Sequence, residues 1–269
     1  MLKSGVETED PFAPATVGTA AHMVMERLMK LARTKRTPLA ARTITYRLTA
    51  ELTPPNLAQR WPGLPVDRYP EWLALVDAAF MGLFGIVDPR QVLVHKTELR
   101  LDDVFIGAVP FKGFIDLISQ VDDDTGRWLE VVDFKTGARV PYVPPGQIND
   151  HHDQIRLYRI GLAQKLGGDR LFRGSVYYTR DKLAKAVPVS MRGPDLDATV
   201  RRFGSAWRRL NRYAEDAAWP ARTSPLCGWC PLTPICAWIV RPVVAGDRSV
   251  KSVAGQVEPA IRTFRSSAS

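Results

Sequence analysis

Cysteine is scarce in this chain: there are three in 269 residues, and all fall between positions 227 and 236. A disulfide-stapled scaffold is thereby excluded, because the three are too crowded for ordinary disulfides and suit a reducing compartment, where thiolates stay available to metal. No stretch stays apolar for the roughly 20 residues that a membrane-spanning helix needs. The amino terminus also lacks a charged-then-apolar leader, so a cytoplasmic protein without a membrane partner is expected. No internal repeat is visible. Negative charge is the minority sign, with 28 Asp and Glu against 37 Lys and Arg, a net charge of +9 and a pI near 9.7. An excess of that size favours a polyanionic partner. With 45% hydrophobic residues, the chain can bury one sizeable core, and a single elaborated domain is the natural count.

The densest chemistry lies in Gly113-Phe114-Ile115-Asp116 and in Glu130-Val131-Val132-Asp133-Phe134-Lys135-Thr136-Gly137. Residues 104–121 alternate or run apolar around Gly113 and Asp116, and 128–134 form a second apolar run. The two predict neighbouring strands joined by the polar turn at 122–126. Asp116 and Asp133 then meet across the sheet. Two ionised carboxylates at close range repel, and a hard divalent cation, Mg²⁺ or Mn²⁺, relieves that repulsion. Lys135 stands two residues past Asp133, so strand alternation puts both on one face. An ammonium there can orient a water or offset charge growing on a phosphate. On spacing alone, Asp-x-Lys is commonly a surface ion pair. Val131, Val132 and Phe134 argue instead for a buried strand, where a lone charge is costly unless paired or on a metal.

Further candidates flank this pair. Ala21, Val24, Met25, Leu28 and Leu31 recur at helical spacing, which places His22 at the edge of an apolar stripe, within reach of a neighbouring cleft. A histidine at such a position is also commonly structural. Gln154 and Tyr158, four apart, share one helix face and can present an amide and a phenol together. Glu98, in the strand-like stretch 92–101, is a further carboxylate, or equally a solvated edge residue.

In chain order these elements are Gly-Thr-x-x-His, Glu98, Gly-x-x-Asp, Asp-x-Lys-Thr-Gly and Gln-x-x-x-Tyr, spanning residues 17–160. In that order they resemble the RecB-like branch of the PD-(D/E)XK nucleases, which includes CRISPR-associated exonucleases and nuclease domains of bacterial recombination helicases. The resemblance implies an α/β, restriction-endonuclease-like core with a central mixed sheet, at about 91–140 and 171–190, flanked by helices. It implies that His22, Asp116 and Asp133 hold Mg²⁺ or Mn²⁺, that Lys135 assists the water, and that Gln154 and Tyr158 line the DNA path. Glu98 matches a recurring acidic position. The expected activity is a metal-dependent DNA exonuclease on single-stranded or end-processed DNA, serving recombination, repair or phage- or CRISPR-related processing. The alternative is a nucleic-acid-binding subunit whose nuclease is inactive, or works only with a helicase, recombination or CRISPR partner.

Cys227, Cys230 and Cys236, spaced C-x₂-C-x₅-C among prolines and tryptophans, read as a metal knuckle at 225–238 in a helical carboxyl segment. Iron-sulfur members of the same branch carry such a triplet and a fourth, upstream cysteine, closing a [4Fe-4S] site. That fourth cysteine is missing here. Two readings stay open: the chain begins downstream of it, or another residue completes the site, zinc accepting a histidine such as His95, His151 or His152. Arg201, Arg202, Arg208 and Arg209 lie on one predicted helix with Phe203 and Trp207, as single-strand binders interleave cations and aromatics, though a solvated helix face gives the same pattern. The expected organisation is one nuclease domain over 1–240, with a helical insertion at about 41–90, a proline-rich connection at 50–70, a helix at about 71–85, and a flexible basic tail from 241.

Overall fold

A computed structural model describes residues 10–51, 64–137, 149–168 and 170–216. The cysteine knuckle and the predicted tail lie outside these residues. The chain divides into two compact units, Met1–Arg209 and Leu210–Ser269.

Helix α1, Pro14–Lys30, opens with a proline, whose fixed φ and missing N–H suit the first turn. It buries Val17, Ala20, Ala21, Val24, Met25, Leu28 and Met29, a wider face than the stripe read from the sequence, of which Leu31 is only half-buried. Helices α2 (Pro38–Glu51), α3 (Tyr69–Phe80) and α4 (Leu83–Ile86) follow. Their Leu48, Trp72, Val76, Phe80 and Leu83 share one core with α1. The helix expected at 71–85 is therefore two. Between them, a Cβ on Gly82 would stand 1.8 Å from the Thr179 carbonyl oxygen, so no side chain fits there.

Five strands form one mixed sheet in the order β1 (Leu93–Ile106), β2 (Val109–Asp123), β3 (Gly126–Lys135), β4 (Leu171–Tyr178), β5 (Val187–Pro188). The run expected over 104–121 is not one strand. It turns at Gly107, whose φ of +62° is left-handed, so that its first residues close β1 and the rest belong to β2. β2 and β3 pair antiparallel, as expected, from Leu117↔Val132 to Asp123↔Gly126. β3 and β4 are parallel, so their connection needs a crossover. Helix α5, Asp150–Leu166, lies on that connection, with the Asn149 side chain accepting from the His152 backbone N–H at its start. On one side, α1 to α4 pack against Leu117, Val132, Phe134 and Tyr177 of the sheet. A second core joins Ile155, Tyr158 and Leu162 of α5 to Ile118, Leu129, Val131 and Val176. Among the described residues no helix is long and apolar enough to cross a membrane.

Helix α6, Gly193–Glu215, is tied to α5 by Asp153. Arg202 donates to both carboxylate oxygens, at 2.8 Å and 2.5 Å, and Thr199 Oγ1 donates at 2.6 Å. Arg202 thus departs from the expected phosphate-facing role, because an opposite charge on a neighbouring helix holds its guanidinium. Arg201, Arg208 and Arg209 remain exposed.

Candidate active site

The site forms where β2 and β3 part. Their backbone ladder stops at Leu117↔Val132, and one residue further the Asp116 carboxylate takes over the acceptor's place, with Oδ2 receiving the Phe134 backbone N–H at 2.6 Å. That bond holds the Asp116 side chain against β3. Its other oxygen, Oδ1, lies 3.4 Å from His22 Nδ1 on α1. The His22 ring meets Phe134 edge-on, with centroids 6.2 Å apart.

Glu98 completes the group from β1. It falls between the pairs Thr97↔Leu117 and Leu99↔Ile115, which sets it opposite Asp116. Its φ of +48° is left-handed, a conformation that costs a residue with a Cβ on the order of 1–3 kcal/mol and persists only where the surroundings enforce it. His22, Glu98 and Asp116 each offer one ligand atom, all within 4.8 Å of one another. A cleft of about 410 Å³ opens over them, lined also by Pro14, Gly18, Thr19 and Thr136.

Lys135 is the last residue of β3. Its Nζ stands 2.7 Å from Asp133 Oδ2 and donates to Gln154 Oε1 at 2.9 Å. Gln154 Nε2 in turn reaches Tyr158 Oη at 2.7 Å. The predicted face of α5 is therefore real, and it delivers its amide to the lysine. Among the described residues, the ion pair with Lys135 is what meets the buried Asp133 Oδ2. Gly113 serves the same packing, since a Cβ there would come within 2.7 Å of the Tyr158 ring. Sequence reading singled out His151 only as a spare zinc ligand. It sits one helical turn before Gln154, with Nδ1 2.8 Å from Tyr178 Oη, and burial and the Lys135 charge hold it below the usual histidine range. The spacing of three from Gln154 was the available signal.

The electrostatics are those of an anionic cluster short of positive charge. Burial, with the charges of Asp116 and Glu26, pushes Glu98 up to about 7. Burial and the charge of Asp116 raise Asp133 too, against the pull of Lys135. Burial would lower His22, but its hydrogen bond to Asp116 and the charges of Asp116, Asp133 and Glu98 outweigh that and raise it. Two carboxylates and an imidazole converging on one cleft fit a hard divalent cation. The expected trio was His22, Asp116 and Asp133. The structure groups Glu98 with His22 and Asp116, and sets Asp133 against Lys135.

The family model of the PD-(D/E)XK nuclease superfamily matches residues 2–237. The chain belongs to this superfamily. The five-stranded mixed sheet with flanking helices is its restriction-endonuclease-like fold, and membership makes the chain a metal-dependent nuclease acting on nucleic acid. Among curated proteins, no significant match is found.

The raised groups give a pH prediction. Glu98 and Asp133 keep protons in the folded state that the unfolded chain has already released, so their contribution to stability falls as pH climbs from the unfolded carboxylate range, about 4, toward about 7 for Glu98. A raised histidine also stabilises at low pH and loses that contribution as pH passes its folded value, so His22 acts in the same direction. The metal-free nuclease should melt higher at about pH 5.5 than at about pH 8. Mn²⁺ should raise the melting temperature far more at the higher pH, because a cation must displace those protons. Thermal unfolding with chelator and with Mn²⁺ at both values checks this; an equal metal-induced shift at both would refute it.

Proposed function

We propose that this nuclease is of the RecB-like type, an Mg²⁺- or Mn²⁺-dependent deoxyribonuclease that works as an exonuclease on single-stranded or end-processed DNA. The reading rests on one juxtaposition: the His22, Glu98 and Asp116 ligand group beside the Asp133–Lys135–Gln154–Tyr158 chain. His22, Glu98 and Asp116 would hold the cation, with Asp133 joining from the Lys135 side. When bound, the cation shields the phosphate and lowers the pKa of water.

The chain's own residues do the rest. Lys135 is an ammonium with three donors. One is given to Gln154 and one faces Asp133, which leaves the third for the attacking water or a phosphate oxygen. Because Tyr158 fixes Gln154 and Gln154 fixes Lys135, the lysine holds its position before substrate arrives, which is what charge stabilisation in a transition state requires. As water adds to phosphorus, it loses a proton to solvent, the bond to the leaving oxygen breaks and that oxygen takes up a proton from solvent, while the Lys135 charge offsets the negative charge gathering on the phosphoryl oxygens. The imidazole among the ligands shifts preference from Mg²⁺ toward the more nitrogen-tolerant Mn²⁺.

End-labelled linear single strands should be shortened with Mn²⁺ or Mg²⁺ and left intact with chelator, with Mn²⁺ effective at lower concentration. Circular single strands should survive, and their digestion would exclude an exonuclease. For Cys227, Cys230 and Cys236 we propose an iron-sulfur cluster or zinc that contributes folding energy rather than chemistry. Cys230→Ser should lower the melting temperature and release metal. Anaerobically purified protein with neither iron nor zinc would refute that assignment.

A further inference from the structure

A second, more enclosed cavity of about 180 Å³ adjoins the acidic cleft and shares Pro14, Gly18 and Thr136 with it. Its walls are Phe12, Val17, Leu75, Ala78 and Ala79, and its one charged lining residue is Arg180. The apolar wall is firmly held. Trp72 Nε1 donates to the Pro11 carbonyl at 3.2 Å, and the Arg68 guanidinium lies 3.7 Å from the Phe12 ring centroid. Arg180 follows Thr179, whose N–H donates to the Lys135 carbonyl at 3.0 Å, so it emerges beside the catalytic end of β3. Among the described residues no hydrogen bond or ion pair engages its guanidinium. In that respect it differs from Lys135, which is held by Asp133 and Gln154.

We propose that this cavity receives the nucleobase of the residue adjoining the scissile phosphate, with Arg180 on that nucleotide's own phosphate. The proposal rests on the nuclease reading above and adds a substrate subsite to it. Size supports a single base: ligand pockets for whole small molecules run to roughly 300–1,000 Å³, and this cavity is smaller. Chemistry supports it as well. An apolar wall with an aromatic ring accepts the face of any base, while an arginine offers a phosphate paired donors. Because the two cavities share a rim, one strand can place a phosphate over the carboxylates and the next base here. The lining is mainly apolar, with Thr136 and Arg180 as its polar side chains, so the subsite should favour a flipped-out or single-stranded base chiefly by stacking and with little reading of its identity.

The test uses single-stranded oligonucleotides with one abasic residue walked across the cleavage position, against the wild-type chain, Ala78→Leu and Arg180→Gln. Ala78 is exposed on α3, so a leucine there fills the cavity without entering the core, and neither position belongs to the catalytic group. Single-turnover cleavage in Mn²⁺ and equilibrium binding in Ca²⁺ are both read. In the wild type, one abasic register should lose about 5- to 160-fold, the worth of one stacked base. Ala78→Leu should show that loss on the intact oligonucleotide and no further loss at the abasic register. Arg180→Gln should weaken binding at every register and reduce its salt dependence. A wild type that is indifferent to abasic position, or an Ala78→Leu variant matching it on intact DNA, overturns the subsite while leaving the nuclease reading in place. A wild type without any metal-dependent cleavage overturns the nuclease reading, and the subsite with it.

Discussion

Asp116→Asn and Lys135→Ala should each reduce metal-dependent cleavage by about 10²- to 10³-fold or more, the loss expected when a group stabilising the transition state is removed. Asparagine is the better probe at 116, because Asp116 has two duties. It still offers an oxygen to the Phe134 N–H, whereas alanine would strand that buried donor and cost about 1–3 kcal/mol of stability. Asp116→Asn should therefore fold normally and bind DNA in Ca²⁺ while failing to cleave. Lys135→Ala removes the cation beside buried Asp133, so the metal-free variant should also melt lower and gain more on addition of metal. Turnover of end-labelled DNA, read beside circular dichroism, separates the two effects; near wild-type turnover in either variant would refute the site assignment.

The second large effect lies outside the cleft. Gly82→Ala drives a methyl group into the Thr179 carbonyl, and a backbone neighbour cannot swing aside as a side-chain tip can. Overpacking of that kind costs about 1–3 kcal/mol and sometimes more. Thr179 also donates through its side chain to the Ala79 carbonyl and through its N–H to that of Lys135. Displacing it should thus loosen the end of β3. Chemical denaturation should show the lost stability, and kcat should fall because the lysine is displaced. An unchanged kcat would show that Thr179 only fills space.

Much of this is legible in the sequence. The β2–β3 pair, α1 with His22, and the shared face of Gln154 and Tyr158 follow from apolar periodicity, which responds to burial, and these elements are buried. The hairpin at Gly107 was not legible, because Val104, Phe105 and Ile106 precede it and Val109 follows; the apolar pattern runs through the turn with one glycine as its only mark. The break between α3 and α4 was hidden for a related reason, since what forbids a side chain at Gly82 is a carbonyl nearly a hundred residues away. Arg202 looked like a free cation because its partner, Asp153, belongs to another helix. Glu98 was read as a strand residue with an uncertain role, and its backbone conformation has no signature in residue pattern at all.

That conformation has a consequence for anyone who tries to improve this enzyme. Glu98 combines a left-handed backbone with a carboxylate that resists ionisation, so a glycine, or a neutral asparagine that tolerates φ > 0, should be more comfortable at that position than the glutamate is. Such a replacement should raise the melting temperature of the metal-free protein while discarding a carboxylate of the proposed cation site. Selection for heat resistance alone would therefore enrich inactive molecules, and a library screened at position 98 should show survival and turnover moving in opposite directions.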